Sequence, residues 1–475
     1  MPVPYRPAAA VLAGLLLSLA LGLHPIWPLA WIAPVLLLSA AFRAGPREAF
    51  ALGLLAGALQ TIGLIAYYLT TTGPVVSCLV VLLFALIWGA VVAVTRLIVT
   101  RSDGPIAMLA YPTIWAVMDL LLASVSPHGS MGSLAYSQMD ALPVIQVAAI
   151  GGAPAVVFLI SLPASMLAVA LYRWPSRRWV SFGPPIVLFA LGLAFGVWRL
   201  DQPHPGPDVS VGLAAIDRPE NDNTAFTDQE PAIWKSYFSS VDRLTKAGAR
   251  LVVLPEAIDL PTEARAPRLA ATLADEAKAR GAYLVAGVAT PTGAKAYNRA
   301  WVFGPDGRRL ADYAKHHPAP GEADLVTPGA GYSRFDLDGR RIGVAICKDM
   351  DFAALSRRYA GQEVEALVVP ASDFQMDGWL HDRMAVLRGV EEGFSVIRSA
   401  EHGVLSVSDP FGRIAAEAGS RPGGAALVVK APIGPRRATI YSAVGDLFGY
   451  LCAAGLAAAV ASLWWRRRRR RGDVA

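Results

Sequence analysis

Hydrophobic and polar positions divide the chain into three regions. Through the first two hundred residues, apolar stretches follow one another with short polar breaks, at 8–23, 27–41, 49–69, 75–99, 105–123, 144–171 and 179–198. About 20 apolar residues cross the hydrocarbon core of a bilayer as a helix. The pattern therefore predicts seven spans, the first two short enough to form a tight pair that dips into the membrane. Pro34, Pro154, Pro163 and the Pro184-Pro185 pair are expected to kink their helices, which a membrane bundle tolerates when neighbours satisfy the released carbonyls. Six more apolar segments follow 8–23, which argues against a cleaved signal peptide there. From about Asp201 charges recur regularly. VSVGLAAI at 209–216 and RLVVLP at 250–255 read as buried strands, with helical spacing over 231–247 and 269–280. Further core strands are expected at 282–289, 342–346 and 366–370, with turn signals at 304–307, 336–339 and 409–412. Strands alternating with helices predict an α/β layered fold. A last apolar run, 447–465, leads directly into six arginines at 466–471. The predicted organisation is an α-helical membrane bundle over 1–200, an α/β domain over 201–438, and a closing span with an Arg-rich tail over 439–475.

Composition supports the membrane reading. The 475 residues are 54% hydrophobic and 17% charged, with a mean hydropathy of +0.42, whereas soluble domains carry about 25% charged residues. The net charge of +6 equals the arginine run alone. The rest of the chain is balanced, so no basic domain remains to follow a phosphate backbone, and nucleic acid is not an expected partner. The run instead suits anchoring to anionic headgroups. Arg6, Arg43, Arg47, Arg96, Arg101, Arg173, Arg177 and Arg178 fall on one side if the spans alternate, while the connections at 24–26, 70–74 and 125–142 hold no Lys or Arg. The positive-inside rule then places both termini in the cytoplasm and the large polar domain outside the inner membrane. Three cysteines, Cys78, Cys347 and Cys452, exclude a disulfide framework. No CxxC or HExxH spacing is present, and Asp349, Asp351 and Asp373 lack the histidines or Gly-rich loop that would make them a metal site. No metal is expected.

Three residues at predicted strand ends carry chemistry. Glu256 closes LVVLPE, Lys315 lies in YAKHH, and Cys347 closes GVAIC. A thiolate attacks a carbonyl, a carboxylate takes the thiol proton, and an ammonium holds the developing oxyanion. Taken singly, each has an ordinary explanation: a solvated loop glutamate, a surface lysine, a small buried cysteine. Their flanking words are more specific. Pro255-Glu256, YAKHHPAPGE and GVAICKD resemble the Glu–Lys–Cys triad of the nitrilase, or carbon–nitrogen hydrolase, superfamily. Seven spans, such a domain and one last span resemble the apolipoprotein N-acyltransferase family. YPTIWAVMD at 111–119, LAYSQ at 134–138 and TIYSAVGDLFGYLC at 439–452 are similar to that family's membrane segments and final helix.

The resemblance covers nearly the whole chain and implies a nitrilase-like αββα sandwich inserted between transmembrane helices 7 and 8. It implies Cys347 as nucleophile, Glu256 as general base and Lys315 as oxyanion stabiliser. Glu322 in PAPGE corresponds to the family's second glutamate, and the peptide N–H of Lys348 to the remaining oxyanion donor. The implied reaction moves an acyl chain from a phospholipid, through a Cys thioester, to the amino-terminal amine of a diacylglyceryl-cysteine lipoprotein. It needs no cofactor, and the family implies a monomer.

There are departures. Cys347-Lys348-Asp349 stands where typical members have Cys-Tyr-Glu. Asp349 keeps a carboxylate. Lys348 adds a cation beside the thiol, expected to favour the thiolate or an anionic substrate headgroup. Asp119 keeps an acid in the fifth span, without the family's downstream arginine, and is expected to have a functional or structural pairing role. His316 and His317 are expected to line the triad loop. Arg388, Glu391 and Arg398 are expected to form structural salt bridges, and Phe374, Met376 and Trp379 either pack or meet lipid chains. Two other functions fit the same words: a membrane-tethered hydrolase or acyltransferase with another acceptor, and a non-catalytic lipid- or lipoprotein-binding protein. A transporter ranks last, because no paired charges run through the spans.

Overall fold

The computed structural model describes residues 4–173, 182–203, 206–217, 231–374 and 376–472, with side chains described for all of these but 231–232 and 466–472. It divides into two compact units. One comprises Met1–Val125, Gly132–Asp201 and Val444–Ala475, and the other Ser126–Met131 and Gln202–Ala443.

The first unit is helical and holds the described parts of the long apolar stretches. Among the described residues, Gly73–Val99, Pro105–Val125, Ala148–Arg173, Gly183–Leu200 and Leu447–Trp465 are long and apolar enough to cross a bilayer. The first two segments, Tyr5–Ala20 and Leu29–Ala41, are shorter helices of 16 and 13 residues. The third is not one straight span: Pro46–Gln60 and Ile62–Thr71 meet at a bend of 57°. Beyond the bend the backbone closes onto the first helix, where a Cβ on Gly63 would lie 2.2 Å from the Ser18 carbonyl oxygen. Pro184 and Pro185 do not kink a helix. They sit in its first turn, where the missing N–H has no partner to lose. Pro154, by contrast, follows a true break at Gly151 and Gly152, the latter with φ of 68°. Arg177, Arg178 and the start of the 179–198 stretch lie outside the described residues.

Small residues let these helices approach. Gly53 and Gly57, four apart on one face of Pro46–Gln60, meet the Gly73–Val99 helix at Trp88. Lipid gives no hydrophobic drive for helix association, so close backbone packing of this kind supplies it. Two side-chain pairs of buried polar groups lie within the unit. Gln138 accepts from the Trp31 indole at 2.8 Å, and Arg199 donates to Gln146 at 2.7 Å.

The second unit contains two six-stranded sheets. In chain order the strands are β1 Asp208–Ala215, β2 Leu251–Val253, β3 Tyr283–Thr292, β4 Lys295–Phe303, β5 Arg309–Ala314, β6 Ser333–Leu337, β7 Arg340–Val344, β8 Ala366–Ser372, β9 Ser395–Glu401, β10 Val404–Ser408, β11 Ile414–Gly419 and β12 Ala425–Pro432. One sheet has the order β12-β1-β2-β3-β4-β5 and the other β11-β10-β9-β8-β7-β6. Each has three parallel strands, β1-β2-β3 or β7-β8-β9, flanked by antiparallel ones. The period of two along a strand sorts side chains between faces. Val209, Val211, Leu213, Val253, Val285, Ile342, Val344, Val368 and Ile397 meet between the sheets. Alternate residues face outward: Val252 and Leu284 pack with Tyr237, Leu269 and Leu273, and Leu367 and Val369 with Leu355, Tyr359 and Ala385. Helices Pro231–Lys246 and Ala266–Arg280 cover one sheet, and Ala353–Ala360 and Gly378–Glu392 the other. The result is the αββα sandwich expected from the sequence, and its parallel strands bring their carboxyl ends to one rim.

The Gly53 packing has a direct test. A Cβ there would lie 2.6 Å from the Trp88 carbonyl oxygen, and backbone cannot yield cheaply. Gly53→Val is expected to destabilise the helical unit by about 1–3 kcal/mol, seen as a lower thermal unfolding midpoint in detergent.

Candidate active site

Each of the three predicted triad residues stands just beyond a strand. Glu256 follows β2, Lys315 directly follows β5, and Cys347 follows β7. Lys315 is 1% exposed and Glu256 2%, and their charged atoms meet at 2.6 Å. Glu322 Oε2 lies 2.8 Å from the same ammonium and also accepts from the Ala319 N–H at 2.9 Å. Lys315 thus sits between two carboxylates. Its main chain is fixed as well, donating to Asn298 and accepting from Gly329. Burial favours loss of the Lys315 proton, but Glu256 and Glu322 override it and hold the ammonium well above the usual lysine range. Burial pushes Glu256 up, opposed by Lys315.

Cys347 opens a short 3-10 turn, Cys347–Asp351, with φ of 44°. A side chain at positive φ is strained, and surrounding bonds must hold it. The turn is held by Asp349, whose Oδ2 accepts from the Ile346 N–H at 3.1 Å and the Tyr313 hydroxyl at 2.7 Å. Its Oδ1 accepts from the peptide N–H groups of His316 and His317 at 3.1 and 3.0 Å. One carboxylate therefore ties the Cys347 turn to the segment that follows Lys315. Cys347 as a residue is partly exposed, and its thiol donates to the Ser372 carbonyl at 3.5 Å. The N–H of that same Ser372 donates to Glu256 Oε2 at 3.0 Å, so one peptide residue touches both acid and thiol. Burial, then the nearby Glu256 charge, push the thiol well above its ordinary value.

Lys348 does not act on the thiol in the way its adjacency to Cys347 suggests. The structure sends its ammonium elsewhere, to Asp351 Oδ2 at 2.9 Å. The expected thiolate-favouring effect is absent because that charge is already compensated. The Lys348 peptide N–H makes no hydrogen bond among the described residues and remains available beside Cys347. Asp349, Asp351 and Asp373 do not converge. Asp349 serves the turn, Asp351 meets Lys348 and His381, and Asp373 accepts from Arg398 at 2.5 Å. Arg388 and Glu391 pair at 2.7 Å. His317 stacks on Phe352 with ring centroids 3.8 Å apart, and His316 reaches the Gly331 carbonyl. Phe374 and Met376 are exposed near Ser372, whereas Trp379 lies against Arg383.

Two contributors were missed. Asn298 donates to Glu256 Oε1 at 2.6 Å, and it interrupts the inward-facing row Ala296, Ala300, Val302 of β4. A lone amide in such a row was the available signal. Gly287 is the other. A Cβ there would lie 2.2 Å from the Pro255 carbonyl oxygen and 2.5 Å from the Glu256 Cα, so β3 can lie flush against the acid only with glycine at this point.

The family model described as Carbon-nitrogen hydrolase matches residues 223–435. The model described as Apolipoprotein N-acyltransferase N-terminal domain matches 13–166. Among curated proteins, an apolipoprotein N-acyltransferase of Geobacter metallireducens is 29% identical over 96% of this chain and 94% of its own length. The omega-amidase NIT2 of Homo sapiens is 32% identical over 36% of this chain and 74% of its own length. Among solved structures, an amidase from Nesterenkonia sp. aligns with a TM-score of 0.44 and 19% identity, over 52% of this chain and 96% of that one.

Two outcomes follow from the geometry. Gly287→Ala is expected to displace Glu256 and lower the catalytic rate at least tenfold, measured as turnover of the purified chain. Against burial, which lowers it, Asp377 and Asp351 raise His381 to about 10 from 6.5. A group raised on folding stabilises fully below its unfolded value and loses that contribution as pH climbs through the folded one. Between about pH 6.5 and 10 the wild-type unfolding midpoint should therefore fall by more than that of His381→Gln.

Proposed function

This chain belongs to the carbon–nitrogen hydrolase superfamily, among the membrane-embedded apolipoprotein N-acyltransferases, and from that premise we propose that it N-acylates lipoproteins through Cys347 with a phospholipid as donor. The observation that carries the reading is the single connected set Cys347–Ser372–Glu256–Lys315, in a chain whose other unit is built of helices of bilayer-crossing length. A soluble amidase needs no such bundle. Two lipid-borne substrates do.

The first half-reaction begins from a neutral thiol and a Glu256–Lys315 ion pair. Cys347 Sγ attacks the ester carbonyl of the phospholipid acyl chain while its proton passes to Glu256. The charge on the carboxylate is replaced by charge on the sulfur and then on the carbonyl oxygen, and Lys315 stays cationic throughout. The net charge of the site does not change, which is what a buried site can accommodate. The oxyanion is held by Lys315 and the Lys348 peptide N–H. Collapse breaks the ester C–O bond, Glu256 returns the proton to the leaving alkoxide, and a lysophospholipid departs from the Cys347 thioester.

In the second half-reaction the α-amino group of a diacylglyceryl-cysteine attacks the thioester, giving its proton to Glu256. The C–S bond breaks, the amide forms, and the thiol is restored from Glu256. Glu322 keeps Lys315 in place through both halves. The donor must leave before the acceptor enters, so the kinetics are ping-pong. No step calls on a metal or an organic cofactor. One copy of the chain carries the complete triad, in keeping with action as a monomer. Both termini are cytoplasmic, as the arginine distribution favours, and the α/β unit lies on the outer side of a bacterial inner membrane.

Intact-mass spectrometry of the purified chain after incubation with phospholipid tests this. Wild type should gain one acyl mass that hydroxylamine removes, and Cys347→Ala should gain none. A diacylated lipopeptide should then discharge the adduct and take up the acyl group on its amine. Discharge to free fatty acid, with the lipopeptide unchanged, would instead make the protein a hydrolase.

A further inference from the structure

Lys348, the residue beside the nucleophile, begins a chain of four charges of alternating sign, three of them buried and the fourth, on His381, partly exposed. Its ammonium lies 2.9 Å from Asp351 Oδ2. The other oxygen of Asp351 faces His381 Nδ1 at 3.5 Å, and His381 Nε2 lies 3.2 Å from Asp377 Oδ2. Lys348, Asp351 and Asp377 are all at most 5% exposed. Burial alone would raise Asp351, but Lys348 and His381 bring it down to about 2. A charge chain of this kind costs desolvation that an apolar filling would avoid, so stability is a weak reason for it.

Its placement gives a better one. Lys348 and Asp351 belong to the turn that carries Cys347. Asp377 ends the segment that starts from Ser372, and His381 lies in the first turn of Gly378–Glu392. These are the two segments that meet at the thiol, where Cys347 donates to Ser372. The chain thus joins them a second time, behind the thiol. The Asp351 main chain is itself anchored, since its carbonyl accepts from the Ser130 hydroxyl at 2.8 Å and the Ser130 N–H at 3.1 Å. A Cβ on Gly129 would lie 2.4 Å from the same oxygen, so this loop fits closely against it.

We propose that Lys348 is a positioning residue for acylation: through Asp351, His381 and Asp377 it locks the nucleophile turn to the Ser372 segment, so that the Lys348 peptide N–H and the Lys315 ammonium meet on one oxyanion. This rests on the reading of Cys347 as the acylated nucleophile. It assigns the side chain no contact with the donor. Oxyanion donors act through placement, and a misplacement of about 1 Å costs on the order of 100-fold.

The test measures the rate of Cys347 acyl-adduct formation per folded molecule of the full chain, with phosphatidylethanolamine or phosphatidylglycerol in detergent micelles. Lys348→Met, Asp351→Asn and His381→Gln should each slow it by about 10- to 100-fold with both donors, leaving the half-saturating donor concentration within about twofold. Lys348→Arg, which keeps the charge and reach for Asp351, should retain most of the rate. Unchanged rates per folded molecule, with only a lower unfolding midpoint, would make the chain structural and overturn the proposal. A raised half-saturating concentration in Lys348→Met, confined to the anionic phosphatidylglycerol, would overturn it in favour of a headgroup contact. A wild type that forms no adduct with either donor overturns the Cys347 reading itself, and this one with it.

Discussion

The site depends on one buried cation. Lys315 stands between Glu256 and Glu322 at 2.6 and 2.8 Å, and neither the lysine nor Glu256 has solvent to fall back on. Removing one member of such a set leaves another uncompensated in a low dielectric, which is far costlier than the set's net contribution to stability. The surrounding structure follows from that constraint. Asn298 takes the second lone pair of Glu256 Oε1 and the Ser372 N–H one of the two on Oε2. Gly287 brings β3 flush against it, and the Lys315 main chain is tied on both sides. The carboxyl ends of parallel strands supply the acid, the thiol and Ser372, while the lysine comes from the end of an edge strand, β5.

Much of this was legible from residue order. The apolar stretches, the alternating strand pattern and the words around Glu256, Lys315 and Cys347 each rest on local sequence, and local sequence is what periodicity reports. What escaped was set by pairing across distance. Asn298 meets Glu256 across 42 positions with no motif joining them, and although Arg398 is expected to form a salt bridge, nothing local names its partner Asp373, 25 positions away. Lys348 shows the same limit in reverse. Adjacency in sequence put its charge beside the thiol, but the 3-10 turn points the side chain toward Asp351, three residues on. The proline pair 184-185 was misread because a kink and a helix start use the same residue, and only the neighbouring glycine at 183 marks which one applies.

The helical unit shows why a hydropathy pattern yields segments more reliably than spans. Segment 49–69 is apolar except for Gln60 and Thr61, and there it bends by 57° between two helices, which sets Gly63 against Ser18 of the first helix. Apolar length limits what a helix can cross. Steric contacts between small residues decide where it goes.

The resting state of Cys347 has a consequence for its survival as well as its chemistry. A thiol kept protonated by burial and by the neighbouring Glu256 charge is a poor target for peroxide and for stray electrophiles, since both react with the anion. Oxidation to the sulfinic acid would be irreversible. Selectivity is thereby built into the ground state: the sulfur becomes nucleophilic only as its proton leaves, and the transferred charge is stabilised only when a carbonyl oxygen arrives to share it with Lys315.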